Sequence, residues 1–374
     1  MYRVRSGRAL AALTAVTLLA SACSSAATTA PPAAPASAAA PAAPASVAPA
    51  SSPAAVASAA ASAVANAAAS ALPGFANGQH PMPASCKSPQ PILGVLLPNT
   101  VNPYYVAMRQ SFIDNGTKAG FKVDVQIALD SSAQQLSQAQ ALVQEGICVA
   151  ALNGVDSAPA AAVVKIFNNA GIPVFTTNVI VSTPDLVKQG GFIIDYVGAD
   201  QVEGGTAMAK MVLQDLGATA KIVYGSIGDP EQIPTEQRDS GFKAVMQTDP
   251  NATYVGVVNS KVDPTVALQV TTDMLQGHPD INVLWADTGP SALGALRAIQ
   301  ALGKQNSVKL YAFCAASVAM TGPYVGCAAQ QPALYAQMVV QEIGKYLQGQ
   351  TVQQQILVPL KLYHGGTPPP GEVG

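Results

Sequence analysis

From Pro91 onward, short apolar runs of strand length alternate with longer stretches whose apolar residues recur every three or four positions. Ile92 to Leu97 is the first such run. Asn102-Pro103 then supplies a helix N-cap followed by proline at the first helical position. Tyr105, Met108 and Phe112 share one face of a helix expected to reach about Ala119, and Gly120 suits its C-terminal cap. The spacing predicts further strands at Val123 to Leu129, Val149 to Leu152 and Val174 to Thr177. Helices are expected around Gln134 to Glu145 and from about Ala158 to Ala170. After a join near Gly198 the alternation resumes. Helices Val202 to Leu216, Thr235 to Gln247, Thr265 to Gln276 and Ser291 to Leu302 interleave with strands Lys221 to Tyr224, Tyr254 to Val258, Val283 to Ala286 and Leu310 to Phe313. Strands alternating with helices imply parallel sheets covered on both faces. Two such series predict an α/β fold of two doubly wound parallel-sheet lobes. Ligands bind such sheets outside the carboxyl ends of the strands. The loops that matter are therefore Pro98 to Asn102, Asn153 to Ser157, Asn178 to Ser182, Ser226 to Glu236, Ala286 to Pro290 and Cys314 to Ser317.

The pattern before Pro91 is different. Arg3, Arg5 and Arg8 precede an apolar run from Ala9 to Ala20, which fits an export signal and is short for a membrane span. Leu19-Ala20-Ser21-Ala22-Cys23 resembles a bacterial lipobox, with Leu one position further from the cysteine than usual. Residues 1–23 are thus expected to be a lipoprotein signal with Cys23 as the lipidated residue; ordinary signal cleavage nearby is the alternative. Residues 24–84 are dominated by Ala, Pro and Ser and offer few large side chains to bury, so they are expected to form a disordered tether. This stretch also accounts for much of the positive mean hydropathy of +0.27. No later stretch is long and apolar enough to span a bilayer.

Composition excludes several functions. A net charge of −2 with 11% charged residues leaves no basic footprint for nucleic acid. The pairs Gly190-Gly191 and Gly204-Gly205 lack the strand–loop–helix context of a nucleotide site. His80, His278 and His364 have no Cys or His neighbour at metal-ligand spacing. Acids in the candidate loops serve as helix caps or hinge groups as readily as catalysts. Neither an enzyme nor a cofactor or metal is expected.

Several motifs occur in a telling order: Leu93-Gly94-Val95-Leu96-Leu97-Pro98-Asn99 into Asn102-Pro103-Tyr104-Tyr105, then Leu152-Asn153-Gly154-Val155-Asp156-Ser157, Ala170-Gly171-Ile172-Pro173-Val174, Tyr196-Val197-Gly198-Ala199-Asp200, Ser240-Gly241-Phe242, Ala292-Leu293-Gly294-Ala295 and Ala329-Gln330-Gln331-Pro332. In this order, from about Pro91 to Leu362, the chain resembles the periplasmic binding proteins of the ribose-binding type, the receptors of sugar importers. The resemblance implies the type I fold: two lobes joined by three hinge crossings, closing on a ligand. It places the first lobe at 85–198 plus 332–358, the second at 199–331 plus 359–366, and leaves 367–374 as a tail.

By the same resemblance, Tyr104 and Tyr105 hold positions where aromatic rings stack on a sugar, Asn102 matches a ligand-contacting asparagine, and Gln330 a polar contact near the hinge. Elsewhere the chain departs from the pattern. Asn178-Val179 replaces an Asp-Arg pair, Glu236 falls where an arginine is expected with Arg238 two residues on, Thr288 beside Asp287 replaces an asparagine, and Cys314 replaces an aspartate. The expected ligand is sugar-like or a less hydroxylated, aromatic-containing relative. Trp285, the only tryptophan, is a candidate for a further stacking face.

Cys86 leads into the first strand and Cys148 into the third, which are neighbours in a doubly wound sheet; Cys314 and Cys327 flank a short crossing segment. Two disulfides, Cys86–Cys148 and Cys314–Cys327, are expected, consistent with export. The resemblance implies a small-molecule ligand and an ABC-transporter permease as partner; the motif at Cys23 implies attachment to the outer face of the cell membrane through a lipid anchor, and a monomer is expected. A sensor subunit that presents its ligand to a membrane signalling protein is the alternative role.

Overall fold

The computed structural model describes residues 72–374. The signal, Cys23 and most of the expected tether lie outside the described residues. The first half of the fold runs β1 (Ile92–Leu97), α1 (Pro103–Lys118), β2 (Lys122–Ile127), α2 (Ser132–Glu145), β3 (Val149–Leu152), α3 (Ser157–Asn169), β4 (Val174–Thr177), α4 (Thr183–Lys188) and β5 (Asp195–Gly198). The second runs α5 (Gln201–Leu216), β6 (Ile222–Gly228), α6 (Ile233–Met246), β7 (Ala252–Asn259), α7 (Pro264–Gly277), β8 (Val283–Ala286), α8 (Gly289–Ala301), β9 (Lys309–Phe313) and β10 (Tyr324–Ala329). The chain then returns through α9 (Pro332–Leu347) and β11 (Gln355–Leu357), and ends its regular structure at β12 (Lys361–His364).

Two six-stranded sheets result, ordered β11-β5-β4-β3-β1-β2 and β12-β10-β9-β8-β6-β7. Every pairing is parallel except that of β12 with β10. The chain passes from one sheet to the other after β5, after β10 and after β11, so two parallel-sheet α/β lobes are joined by three crossings. Each lobe has apolar clusters on both faces of its sheet. This double coverage explains why β3, β4 and β8 are apolar or small throughout and fully buried.

The helix starts are fixed by local chemistry. Asn102 caps α1 by accepting from the Tyr104 amide at 2.9 Å, Asp263 caps α7 through Thr265 and Val266, and Gly146 ends α2 at φ 77°. Sequence spacing located most elements to within a few residues. It did not resolve β5, β10, α9, β11, β12 or the short α4. β5 carries a buried Asp195 and β10 a glycine, so neither reads as a simple apolar run.

Both expected disulfides are present, Cys86–Cys148 and Cys314–Cys327, with Cα atoms 4.6 and 4.9 Å apart. Two boundaries need correction. Residues 72–84, placed in the tether, lie against the first lobe: the Ala76 amide donates to Ile193 at 2.8 Å, and His80 stacks on Phe192 at 4.2 Å. Phe75 and His80 supply the rings that the preceding Ala/Pro/Ser stretch lacks. Residues 367–374, expected as a tail outside both lobes, return to the hinge, where Val373 pairs with Gln330 and both Pro368 and Val373 are buried.

Candidate functional site

The carboxyl ends of both sheets open on one cleft. Its outer part is a cavity of about 660 Å³, walled by the loops after β1 and β3 on one side and after β6, β7, β8 and β9 on the other. Its inner end narrows to about 20 Å³ between Asn102, Tyr104, Tyr105 and Asn178 of the first lobe, Arg238 and Thr288 of the second, and Gln330 at a crossing. Asn102, Tyr105, Gln232, Val262 and Gly374 belong to both parts. The lobes touch across the cleft. The Gln232 side chain donates to the Val155 carbonyl at 3.1 Å, and the Ile233 amide at the start of α6 donates to Ser157 Oγ at 3.0 Å. Gln232 makes no side-chain cap of its own, so α6 takes its cap from the opposite lobe.

On the first-lobe wall, Tyr104 and Tyr105 project from the first turn of α1 and meet edge to face at 5.3 Å. Both are nearly fully buried, and burial pushes both phenols above their ordinary pKa, so they remain neutral donors. The Tyr104 hydroxyl has no partner within the described residues. Asn178 sits at φ 60°, a conformation that asparagine tolerates better than most residues, and its carbonyl accepts from the Tyr196 hydroxyl at 3.0 Å. The Asn102 side chain is occupied as the α1 cap.

On the second-lobe wall, Arg238 is buried in the middle of α6. Its Nε donates to Gln201 Oε1 at 2.7 Å, one terminal nitrogen donates to the Asp287 carbonyl at 2.8 Å, and the guanidinium lies 4.0 Å over the Phe313 ring. Burial lowers its pKa, opposed by the nearby Asp287 carboxylate. Asp287 is buried just past the end of β8; burial raises its pKa well above the usual carboxylate value, and Arg238 pulls it back. Asp287 Oδ2 accepts from the Asp229 amide at 3.3 Å, while Oδ1 has no partner within the described residues. Thr288 caps α8 and shares a hydrogen bond with Ser291 at 2.6 Å. Gln330 Oε1 is buried and also lacks a partner there.

Three sequence-derived candidates, Asp287, Glu236 and Trp285, do not line the cleft. Asp287 is buried behind Thr288. Glu236 is exposed on α6 and lines neither part of the cavity. It stands two residues from Arg238, about 200° around a helix, so only one of the two can face inward. Trp285 is fully buried, stacked on Phe242 at 4.6 Å, and belongs to the core of the second lobe. It lies within β8, whereas cleft residues come from beyond the strand end. Residue patterns missed Gln201, which holds Arg238, and Tyr335, whose buried hydroxyl also lacks a partner among the described residues. Gln201 follows Asp200 directly, so the Gly198-Ala199-Asp200 motif stops one residue short of it. No group of three His, Cys, Asp or Glu side chains placed to hold a metal occurs among the described residues.

The periplasmic binding protein domain family matches residues 93–351 of this chain. The chain belongs to that family. The binding protein is 30% identical over 274 residues to the ribose import binding protein of Bacillus subtilis, which spans 72% of this chain and 86% of that protein. To the ribose import binding protein of Haemophilus influenzae it is 26% identical over 286 residues, 75% of this chain and 93% of that protein. A solved solute-binding protein of an ABC transporter from Agrobacterium vitis, bound with α-D-tagatopyranose, has the same fold: the TM-score is 0.67 at 22% identity, over 73% of this chain and 94% of that chain. As a type I binding protein of the ribose-binding family, the chain is an extracytoplasmic solute receptor of an ABC import system and not an enzyme.

Proposed function

We propose that the binding protein captures a monosaccharide or a closely related polyol at the inner end of the cleft. The observation that carries this reading is a pair of buried polar atoms without partners among the described residues, Tyr104 Oη and Gln330 Oε1, on residues that line the inner end of the cleft together with Arg238 and beside a pair of aromatic rings. Each unsatisfied buried group costs about 1–3 kcal/mol, which a hydroxyl-rich ligand recovers on binding. Tyr104 and Tyr105 offer apolar faces to the ring, and Arg238 offers a fixed cationic fork. Relatives are named for ribose, D-allose and D-apiose. With Trp285 in the core and Arg238 at the cleft, an aromatic ligand loses support and a hydroxylated one gains it.

Thermal-shift measurements with D-ribose, D-allose, D-tagatose and myo-inositol, against nucleosides and aromatic acids, test the reading. A sugar at 100 times its Kd stabilises the folded chain by about 2.7 kcal/mol. A shift with aromatic compounds and none with sugars or polyols overturns it. The finer assignments, a lipid on Cys23 and delivery to a permease, rest on the N-terminal motif and on membership of an import family. Replacing Cys23 by Ala releases the protein from the membrane fraction if the anchor reading holds.

A further inference from the structure

The segment Thr367–Gly374 is seated, not frayed. The Gln330 amide donates to the Val373 carbonyl at 2.7 Å, and the Val373 amide returns a bond to Gln330 at 3.1 Å. The Gly374 amide donates to Cys314, and the Gly289 amide to Gly374, each at 2.9 Å. Glu372 pairs with Lys361 and the Tyr363 hydroxyl on β12, and the Pro368-Pro369-Pro370 run limits the freedom of the approach. The seat is cut to receive backbone: a Cβ on Gly289 would lie 2.8 Å from the Gly374 oxygen and 2.6 Å from that of Cys314. These main-chain anchors all lie on the second lobe or a crossing. The Val373 side chain belongs instead to the first-lobe apolar cluster that contains Tyr104, Tyr105 and Tyr335. The segment therefore bridges the two walls at the inner end of the cleft, which Gly374 lines together with Tyr104 and Gln330, both of which carry a polar atom without a partner among the described residues.

Space there is small. Gly374 borders the inner end of the cleft, whose about 20 Å³ exceeds the 10–15 Å³ that one water needs and falls far short of a ligand pocket of about 300 Å³ or more. A sugar does not fit beside Tyr104, Gln330 and Arg238 in the space left with Gly374 in place. We infer that Thr367–Gly374 is a tethered occupant of the inner ligand site, which a bound sugar displaces. The inference rests on the sugar-receptor reading. It adds that affinity is set by competition with the chain's own segment, whose local concentration is fixed by its short attachment to β12.

The test compares the full chain with two variants, one ending after Gly366 and one carrying Val373→Asp, which keeps the length and removes the apolar contact. Calorimetric titration with D-ribose and D-allose is expected to show both variants binding tighter than the full chain, within the 5- to 150-fold range of about 1–3 kcal/mol of coupling. Hydrogen exchange on the full chain is expected to be slow at Val373 and Gly374 without sugar and faster at saturation. Equal or weaker binding by the variants, or exchange that slows on adding sugar, makes the segment a permanent wall and overturns the inference. If no form binds any sugar or polyol, the sugar reading fails. Exchange on the sugar-free chain then judges the segment alone: protection at 373–374 supports its docking, and rapid exchange removes it.

Discussion

On the first-lobe side of the cleft, Tyr104 and Tyr105 pack against each other and against an apolar cluster. On the second-lobe side, Arg238 and Asp287 are buried, and burial moves the pKa of each toward its neutral form. The aromatic wall is stabilised by its own ring area, and little of it depends on a ligand. The charged wall carries a desolvation cost that Gln201, Phe313 and the Asp287 carbonyl offset only in part. One wall is thus a preformed platform. The other is where a hydroxylated ligand finds unmet electrostatic demand.

Breaking the charged wall gives the largest expected effect. Arg238→Met leaves Asp287 without its cation and should weaken sugar binding by about 2–5 kcal/mol, read by titration calorimetry. Unchanged affinity would show that Arg238 only supports the fold. Each lobe also carries one disulfide. Cys86–Cys148 closes a 62-residue separation and Cys314–Cys327 one of 13. Paired Cys→Ser replacement should cost about 2–4 kcal/mol, with the longer loop costing about 1 kcal/mol more in denaturant unfolding.

A third prediction contrasts two buried acids. Asp287 has Arg238 nearby, whereas Asp195, on β5 and away from the cleft, faces Glu342 as well as Lys345. Burial first, and then Glu342, push Asp195 up to about 8. Between about pH 4 and that value the unfolded chain has lost the Asp195 proton and the folded chain keeps it. Stability therefore falls as pH rises through this window, by up to about 1.4 kcal/mol per pH unit from this group. Asp195→Asn should flatten that slope in melting curves; an unaltered slope would assign it elsewhere. Tyr104→Phe sharpens the comparison further. It removes a hydroxyl without a partner and keeps the ring, so the melting temperature should hold or rise while sugar affinity drops by about 1 kcal/mol. Of similar size is Ser157→Ala, which uncaps α6 across the cleft and should weaken the contact between the lobes by about 0.5–1.5 kcal/mol, visible as faster sugar release in stopped flow.

The fold was legible because its elements announce themselves locally, through apolar runs, Asn102-Pro103 and Gly146. The aromatic wall was legible for the same reason, since Tyr104 and Tyr105 follow a helix cap directly. The charged wall was harder. Choosing between Glu236 and Arg238 requires the rotational setting of α6, and the local motif alone does not supply it. Trp285 fell on the wrong side of a strand end, with Thr288, three residues on, taking the cleft position. Nothing in Thr367–Gly374 announces a contact with Gln330 and Gly289, because that contact is made only by the folded whole.

The segment that enters the fold at Leu72 has a mechanical consequence. It is fastened along one edge of the first lobe: Leu72 to Gln354, Ala76 to Ile193, Gln79 to Gln350 and His80 to the Tyr346 hydroxyl. Just beyond it, Cys86 is covalently joined to Cys148 at the head of β3. Tension arriving from the residues before Leu72 first has to shear this row of bonds. What remains crosses the disulfide into the middle of the sheet and is not spent peeling β1 from its neighbours. A pull applied at Leu72 is thus taken up by the first lobe and reaches the second only through the three crossings.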